Sequence, residues 1–357
     1  MFFTPAAVDG WRGAPGDHPL FKFCESTARN RNYTAEEVCG RPLGIRVARS
    51  VLYVADAYFG VFSAPLSSPS SFAETGVAHP PFTWLVRPTD ATPTLRFVND
   101  LDVLSDGSVV FTDSSAASPR RKFRAVLLNN HADGRLFVKR PGQALQLIAG
   151  GLHFPNGVQS LPSDTPGRPA VAVAELGRRR LLRCAVPPPP AAVSDDAPEA
   201  AATAASAEDA GCSVLSANLP CLADNVRSHT WTGTKSGAPL DTLLVACGAK
   251  VASPFSLPHT LWSRPRLAIF VHRLLTFYPP VEDAVVNAVS KYGLVLVVNA
   301  RTGAGVASFH DPNAGASIST AIVANGRLWL GSPVAHYAAS LAWPLQARRS
   351  DPSFIGF

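Results

Sequence analysis

A recurring unit limits how this chain can fold: a short apolar run, a turn, and a second apolar run. LDVLSDGSVVFTDSS (residues 101–115) turns at Asp106-Gly107, LLNNHADGRLFVK (127–139) at Asp133-Gly134, and AIVANGRLWLGS (321–332) at Asn325-Gly326. Asp-Gly and Asn-Gly favour tight hairpins because both residues tolerate positive φ. The flanks alternate, so Leu101, Val103, Val109 and Phe111 can share one face of a sheet. Gly44-Ile45, Asp100-Leu101, Gly157-Val158 and Asn225-Val226 each begin an apolar strand, at steps of 56, 57 and 68 residues. The longest step holds PPPPAAVSDDAPEAAATAASAEDAG (187–211), rich in alanine and without an aromatic. Such a tract cannot form a core and reads as a mobile surface insertion. A period of about 50 residues with two hairpins per unit predicts an all-β, six-bladed β-propeller of about four strands per blade. A β-sandwich is the alternative architecture.

Composition agrees with many short strands and turns. The 357 residues include 32 prolines and 26 glycines, with 46% hydrophobic and 16% charged residues. The net charge of +6 is scattered, and the clusters Arg120-Arg121-Lys122 and Arg178-Arg179-Arg180 lack interleaved aromatic platforms. Solvated loops are therefore expected there, and no nucleic-acid partner. Residues 1–38 are expected to form a partial first blade or an N-terminal extension, 39–345 the propeller, and 346–357 a tail. Residues 256–285 break the strand pattern and predict a short amphipathic helix ending before Pro279. Its expected place is over the propeller face, with a membrane-surface or substrate-lid role as the alternative.

None of the six cysteines (Cys24, Cys39, Cys184, Cys212, Cys221, Cys247) forms a CxxC pair, which speaks against zinc. Asn32-Tyr33-Thr34 is an N-glycosylation sequon, and Cys24 and Cys39 flank it and could close a short loop by a disulfide. MFFTPAAVDGW lacks the basic start and apolar core of a signal peptide, and no run of about 20 apolar residues is present. Either the protein is cytoplasmic, or the chain lacks its true N-terminus.

In GLHFPNGVQS (151–160) an asparagine stands inside an apolar run. Asn99 in FVNDLDV and Asp224-Asn225 in LADNVRS stand at similar places in their units. In a propeller the first strands of the units start near one axis. Amide and carboxylate oxygens converging there suit a hard cation, above all calcium, which takes six to eight oxygens. The set holds one certain carboxylate, Asp224, with Asp100 nearby, and calcium usually takes more charge. The plain alternative is that these residues only shape turns.

These residues also carry a resemblance. CGRPLGIRV (39–47), LYVADAYFGVF (52–62), RFVNDLDV (96–103), VVFTDSS (109–115), GLHFPNGVQSL (151–161), VAVAELGRRRLLRC (171–184), DNVRSHTWTG (224–233) and KYGLVLVV (291–298) resemble the strictosidine synthase-like family, in the family's order. The resemblance implies a six-bladed propeller related to the paraoxonase and gluconolactonase groups, which place calcium at the axis. Their ligand motifs match Asn99, Asn156, Asp224 and Asn225. The same families take a further glutamate from a first-blade segment, and Glu25, Glu36 and Glu37 do not match it. The synthase's catalytic glutamate falls near Thr320, which cannot transfer the proton, so condensation of an amine with an aldehyde is not expected. Tyr58 stands where paraoxonases carry a histidine, and His131, His153 and His229 are expected in surface or packing roles.

The resulting expectation is a calcium-dependent hydrolase of small-molecule esters or lactones, arylesterase-like, with Asp113 or Glu175 orienting or activating water. The alternative is a non-catalytic binding propeller whose metal site is structural or lost. The resemblance, the sequon and the Cys24–Cys39 bridge favour the endomembrane system or secretion, with membrane anchoring through a missing N-terminus.

Overall fold

The computed structural model describes residues 23–24, 26, 35–66, 82–162, 168–189, 211–232, 238–251, 261–262, 264–277, 292–312, 317–333 and 338–343. The sequon at Asn32, Glu25, the tail 346–357 and most of the alanine-rich tract lie outside the described residues. The chain divides into two compact units, residues 1–123 with 133–147 and residues 124–132 with 148–357.

The first unit opens with a helical turn, α1 (Glu36–Cys39), which Cys39 ties to Cys24 by a disulfide. Sheet one follows in sequence order: β1 (Pro42–Ala48), β2 (Val51–Asp56), β3 (Gly60–Pro65) and β4 (Thr83–Val86). Sheet two has the order β5 (Val98–Val103), β6 (Val109–Asp113), β7 (Ala132–Lys139) and β8 (Leu145–His153), and β8 runs on into the second unit. A short helix, α2 (Phe123–Asn129), joins β6 to β7. The second unit holds sheet three, β9 (Pro155–Leu161), β10 (Ala170–Glu175), β11 (Arg180–Ala185) and β12 (Cys212–Ser216). Sheet four is β13 (Cys221–Trp231), β14 (Leu240–Lys250), β15 (Gly293–Asn299) and β16 (Gly305–Asp311). Sheet five is β17 (Thr320–Ala324), β18 (Arg327–Gly331) and β19 (Ala339–Ala342). Helix α3 (Pro265–Phe277) lies between β14 and β15, where an amphipathic helix was predicted.

Each sheet is an antiparallel meander, the form of a propeller blade. The all-β propeller reading stands, but the described residues hold five such sheets and not the six predicted. Blade spacing explains the difference: the first strands start at Pro42, Val98, Pro155, Cys221 and Thr320, so the unit that carries α3 runs far longer than the predicted period of about 50 residues.

Strand burial follows from sheet stacking. In β14, Leu243 and Val245 join a core with Ala172, Leu181 and Val226 of sheets three and four, while Leu244 and Ala246 join a second core with Ala321 and Leu328 of sheet five. A strand covered on both faces needs an unbroken apolar run, which LLVAC supplies. In the first unit Leu101, Val109 and Phe111 pack on one face with Ala55 and Val61, as the alternation predicted. Asn325 and Gly326 form the expected tight turn, both with positive φ, at 52° and 68°. Asp133-Gly134 does not turn. It lies inside β7, and Asp133 Oδ2 accepts from Ser115 Oγ at 2.6 Å and from Ala117 N at 2.9 Å, anchoring the loop after β6.

Two further disulfides join neighbouring strands, Cys184 of β11 with Cys212 of β12 and Cys221 of β13 with Cys247 of β14. The first closes the base of the alanine-rich tract. Three disulfides fit an oxidising compartment. No helix among the described residues is long and apolar enough to cross a membrane.

Candidate functional site

The four strand starts read from the sequence are the first strands of sheets one to four, and each carries a register break at the same place. Val98 pairs with Asp113 and Leu101 with Phe111, so Asn99 and Asp100 together oppose one residue. Pro155 pairs with Glu175 and Val158 with Val173, leaving Asn156 and Gly157 against one residue. Ala223 pairs with Cys247 and Val226 with Val245, leaving Asp224 and Asn225. The break in β1 falls between Pro42 and Gly44. Each is a β-bulge, which bends its strand and re-aims the side chains it carries. Each asparagine inside an apolar strand occupies a bulge.

The bulges sit side by side within each unit. In the second unit a Cβ on Gly157 would lie 2.5 Å from Val226 N and 2.7 Å from Asn225 Cα, so only glycine lets β9 approach β13 this closely. Asn225 N donates to Ser319 O at 3.1 Å, which brings the chain just before β17 alongside. The second unit thus holds Asn156, Asp224, Asn225 and Thr320 on three adjacent strands. Asn225 is buried, and its Oδ1 has no hydrogen-bond partner among the described residues. A buried amide oxygen in that state is uncommon and calls for an explanation.

In the first unit a Cβ on Gly44 would meet Asp100 Cα at 2.7 Å, the same close approach between β1 and β5. Asn99 is buried and donates through Nδ2 to Ser114 Oγ at 2.8 Å. Fully buried Asp100 pairs with Arg46 of β1 at 3.3 Å, and Arg46 also reaches Asp102 at 3.3 Å.

Asp113 and Glu175 occupy equivalent positions, at the end of the second strand opposite the residue that precedes each bulge. Asp113 accepts Phe97 N at 2.8 Å through Oδ1, and Arg135 Nε and Nη2 at 3.0 and 2.6 Å through Oδ2. Glu175 accepts His153 N at 2.9 Å through Oε1, and Arg180 Nε through Oε2. Each arginine stands directly across the third strand from its carboxylate. Burial pushes the Asp113 carboxyl above its ordinary value, while Arg135 and the backbone N–H pull it back in part. In sheet four Cys247 takes the carboxylate's place, and its disulfide reaches Cys221, the position that His153 holds in sheet three. The same tie to the start of the first strand is made there by a covalent bond. Sequence reading did not single out Arg135, and it expected Arg180 in a solvated loop, whereas Arg180 opens β11 and pairs with buried Glu175. Their signal was the recurrence of an arginine one strand after each buried acid, visible only once the register is known.

Asp56 is the corresponding acid of sheet one. It is buried, its Oδ1 accepts Tyr58 N at 2.9 Å and Phe59 N at 3.1 Å, and no arginine faces it across β3, where Gly60 stands. Burial raises its pKa to about 6, against the lowering effect of those N–H groups. Tyr58 donates to Glu36 Oε2 at 2.9 Å and accepts Arg121 N at 2.9 Å, and burial followed by the Glu36 charge pushes the phenol up. Glu36 also pairs with Arg120 at 2.8 Å, and Glu37 with Arg121 at 3.2 Å, so both act as local anchors.

The histidines stand apart from the bulges. His131 is exposed. His153 Nδ1 lies 2.8 Å from Asn130 O and Nε2 lies 3.0 Å from Arg178 Nη2, and burial and that arginine lower its pKa. His229 packs edge-on against Trp343 at 5.1 Å, and burial lowers its pKa too.

The donors gathered in the second unit are oxygens, two amides and one carboxylate, which suits a hard cation in type. Among the described residues there is no group of three or more His, Cys, Asp or Glu that could hold a metal.

Comparison with known proteins places the chain. The sequence profile described as strictosidine synthase matches residues 99–184, from the Asn99 bulge to the Cys184 disulfide. The adipocyte plasma membrane-associated protein of Danio rerio is 31% identical over 318 residues, covering 86% of this chain and 64% of that protein. Protein STRICTOSIDINE SYNTHASE-LIKE 10 of Arabidopsis thaliana is 34% identical over 232 residues, covering 62% of this chain and 52% of that protein. The chain therefore spans less than two thirds of the length of these relatives. A solved gluconolactonase from Xanthomonas campestris superposes with a TM-score of 0.44 at 15% identity, covering 82% of this chain and 69% of that one.

Proposed function

We propose that this chain, a member of the strictosidine synthase-like family, is a calcium-dependent hydrolase of small esters or lactones. One observation carries the reading: Asn156, Asp224 and Asn225 stand at neighbouring bulges, with the buried Asn225 Oδ1 lacking a hydrogen-bond partner among the described residues. Those three would hold the ion in the second unit, and Asn99 is their counterpart in the first. Calcium held there would supply a Lewis acid for a substrate carbonyl.

The chain's own residues supply the frame. Gly157 lets β9 and β13 close up so that the amide oxygens of both reach one place. Asp113 and Glu175 each hold the chain leading into a first strand through a backbone N–H and an arginine, which supports a positioning role for both. Thr320 of β17 cannot act as a base, so the reading does not extend to amine–aldehyde condensation. Three disulfides support passage through the secretory route. A membrane-linked location is proposed with it, after the printed name of the Danio rerio relative.

The test is hydrolysis of a panel of aryl esters and lactones by the full chain, in calcium and in chelator. Activity is expected only in calcium, and Asn156→Ala and Asn225→Ala are expected to lower kcat/KM by about 10–100-fold by weakening the hold on the ion. Activity indifferent to chelator and to both substitutions, or no hydrolysis in saturating calcium, would contradict the reading.

A further inference from the structure

Helix α3 carries an apolar stripe on its outer side. Leu267, Phe270 and Leu274 are 38%, 62% and 49% exposed, and their spacing of three and four residues puts them on one face of a helix. Ala268, away from the stripe, is buried at 1%, and just before the helix Leu261 is buried at 1% and Trp262 Nε1 donates to Leu127 O of α2 at 2.7 Å within the same unit. The stripe is therefore presented by a fixed element.

Charge on this element has one sign. Arg264, Arg266 and Arg273 are exposed, and Arg266 and Arg273, two turns apart, flank the Phe270 edge of the stripe. From Thr242 to Val281 the chain has no Asp or Glu at all. At 13 residues the helix is about 20 Å long, too short to cross about 30 Å of hydrocarbon. A short helix with an apolar stripe and a basic border matches the geometry of an element lying in the plane of a lipid–water interface.

We propose that α3 is an interfacial docking helix for an anionic bilayer, with Leu267, Phe270 and Leu274 entering the acyl boundary and Arg264 and Arg266 meeting lipid phosphates and carboxylates. Both parts contribute, apolar insertion by burial and the arginines by attraction to the negative surface, and the second weakens as salt rises. This inference does not rest on the proposed activity.

The experiment is flotation of the full chain with vesicles of phosphatidylcholine alone and of phosphatidylcholine with phosphatidylserine. Partitioning onto the anionic vesicles is expected to exceed that onto neutral ones at least ten-fold at low salt and to fall as salt is raised. The double variant Phe270→Asp with Leu274→Asp is expected to lose at least ten-fold, and Arg264→Glu with Arg266→Glu a similar factor, with unchanged melting temperatures because these side chains are exposed. No partitioning of the unaltered chain, or partitioning that neither double variant reduces, would overturn the proposal. A concentration-dependent dimer that the Phe270 and Leu274 variant abolishes, without vesicle binding, would overturn it in favour of a second copy of the chain.

Discussion

Replacing Arg135 with leucine is expected to cost about 3–5 kcal/mol of folding stability, the range for breaking a buried ion pair from one side. Asp113 is fully buried and takes two hydrogen bonds from Arg135. The same guanidinium donates to Pro93 O at 2.5 Å and to Thr94 O at 3.2 Å, so it holds both the acid and the chain leading into β5. Without it the carboxylate stays in a dry interior with backbone N–H donors alone. Adding Asp113→Asn is expected to restore part of the loss, since the amide keeps an acceptor for Phe97 N and carries no charge. Urea unfolding at neutral pH of the two single variants and the double variant measures this. A cost below about 1 kcal/mol for Arg135→Leu would show that the pair behaves as an exposed one and does not hold the chain leading into β5.

Asp56→Asn is expected to stabilise the protein at pH 8 and to make no difference at pH 3.5. The sign follows from linkage. Folding raises the Asp56 pKa from 3.8 to about 6, so between those values the folded state binds the proton and the unfolded state does not. The stability tied to the neutral acid is fully present below pH 3.8 and is lost as pH rises through 6. A shift of about two units corresponds to roughly 3 kcal/mol. Asparagine stays neutral and retains the acceptor for Tyr58 N and Phe59 N, so that loss disappears. Denaturant midpoints across pH 3.5–8 give the result directly. A variant less stable than the parent at pH 8 would mean that the Asp56 charge stabilises this turn.

These two acids show how far the sequence could be read. The strands around Ile45, Leu101, Val158 and Val226 are where the pattern put them, although Ile45 is 45% exposed and polar residues interrupt β5, β9 and β13. Asn325-Gly326 is legible because its turn depends on two adjacent residues. Asp133-Gly134 carries the same signal but lies in a strand, because Asp133 is held by Ser115 and Ala117 across the sheet. The metal candidates at Asn156 and Asn225 could be picked out by position, whereas the bulges that present them are a property of register. The pairs Asp113–Arg135 and Glu175–Arg180 were hidden for the same reason: they join different strands, 22 and 5 residues apart. Six cysteines allow 15 pairings, and spacing alone does not choose Cys184–Cys212 and Cys221–Cys247. Six sheets were expected because a period of about 50 residues was spread over the whole chain, whereas the unit from Cys221 to the start of β17 at Thr320 is far longer than that.

The most direct test of the metal reading is the melting temperature of the full chain in saturating calcium and in chelator, beside Asn225→Ala. A ligand at about 1,000 times its Kd stabilises by about 4 kcal/mol, and each kcal/mol moves the midpoint by about 2–4 °C in a chain of more than 150 residues. Calcium is therefore expected to raise the midpoint of the unaltered protein by several degrees and to leave Asn225→Ala unmoved. Equal melting of the unaltered protein in calcium and in chelator would contradict a calcium site at the bulges of β9 and β13.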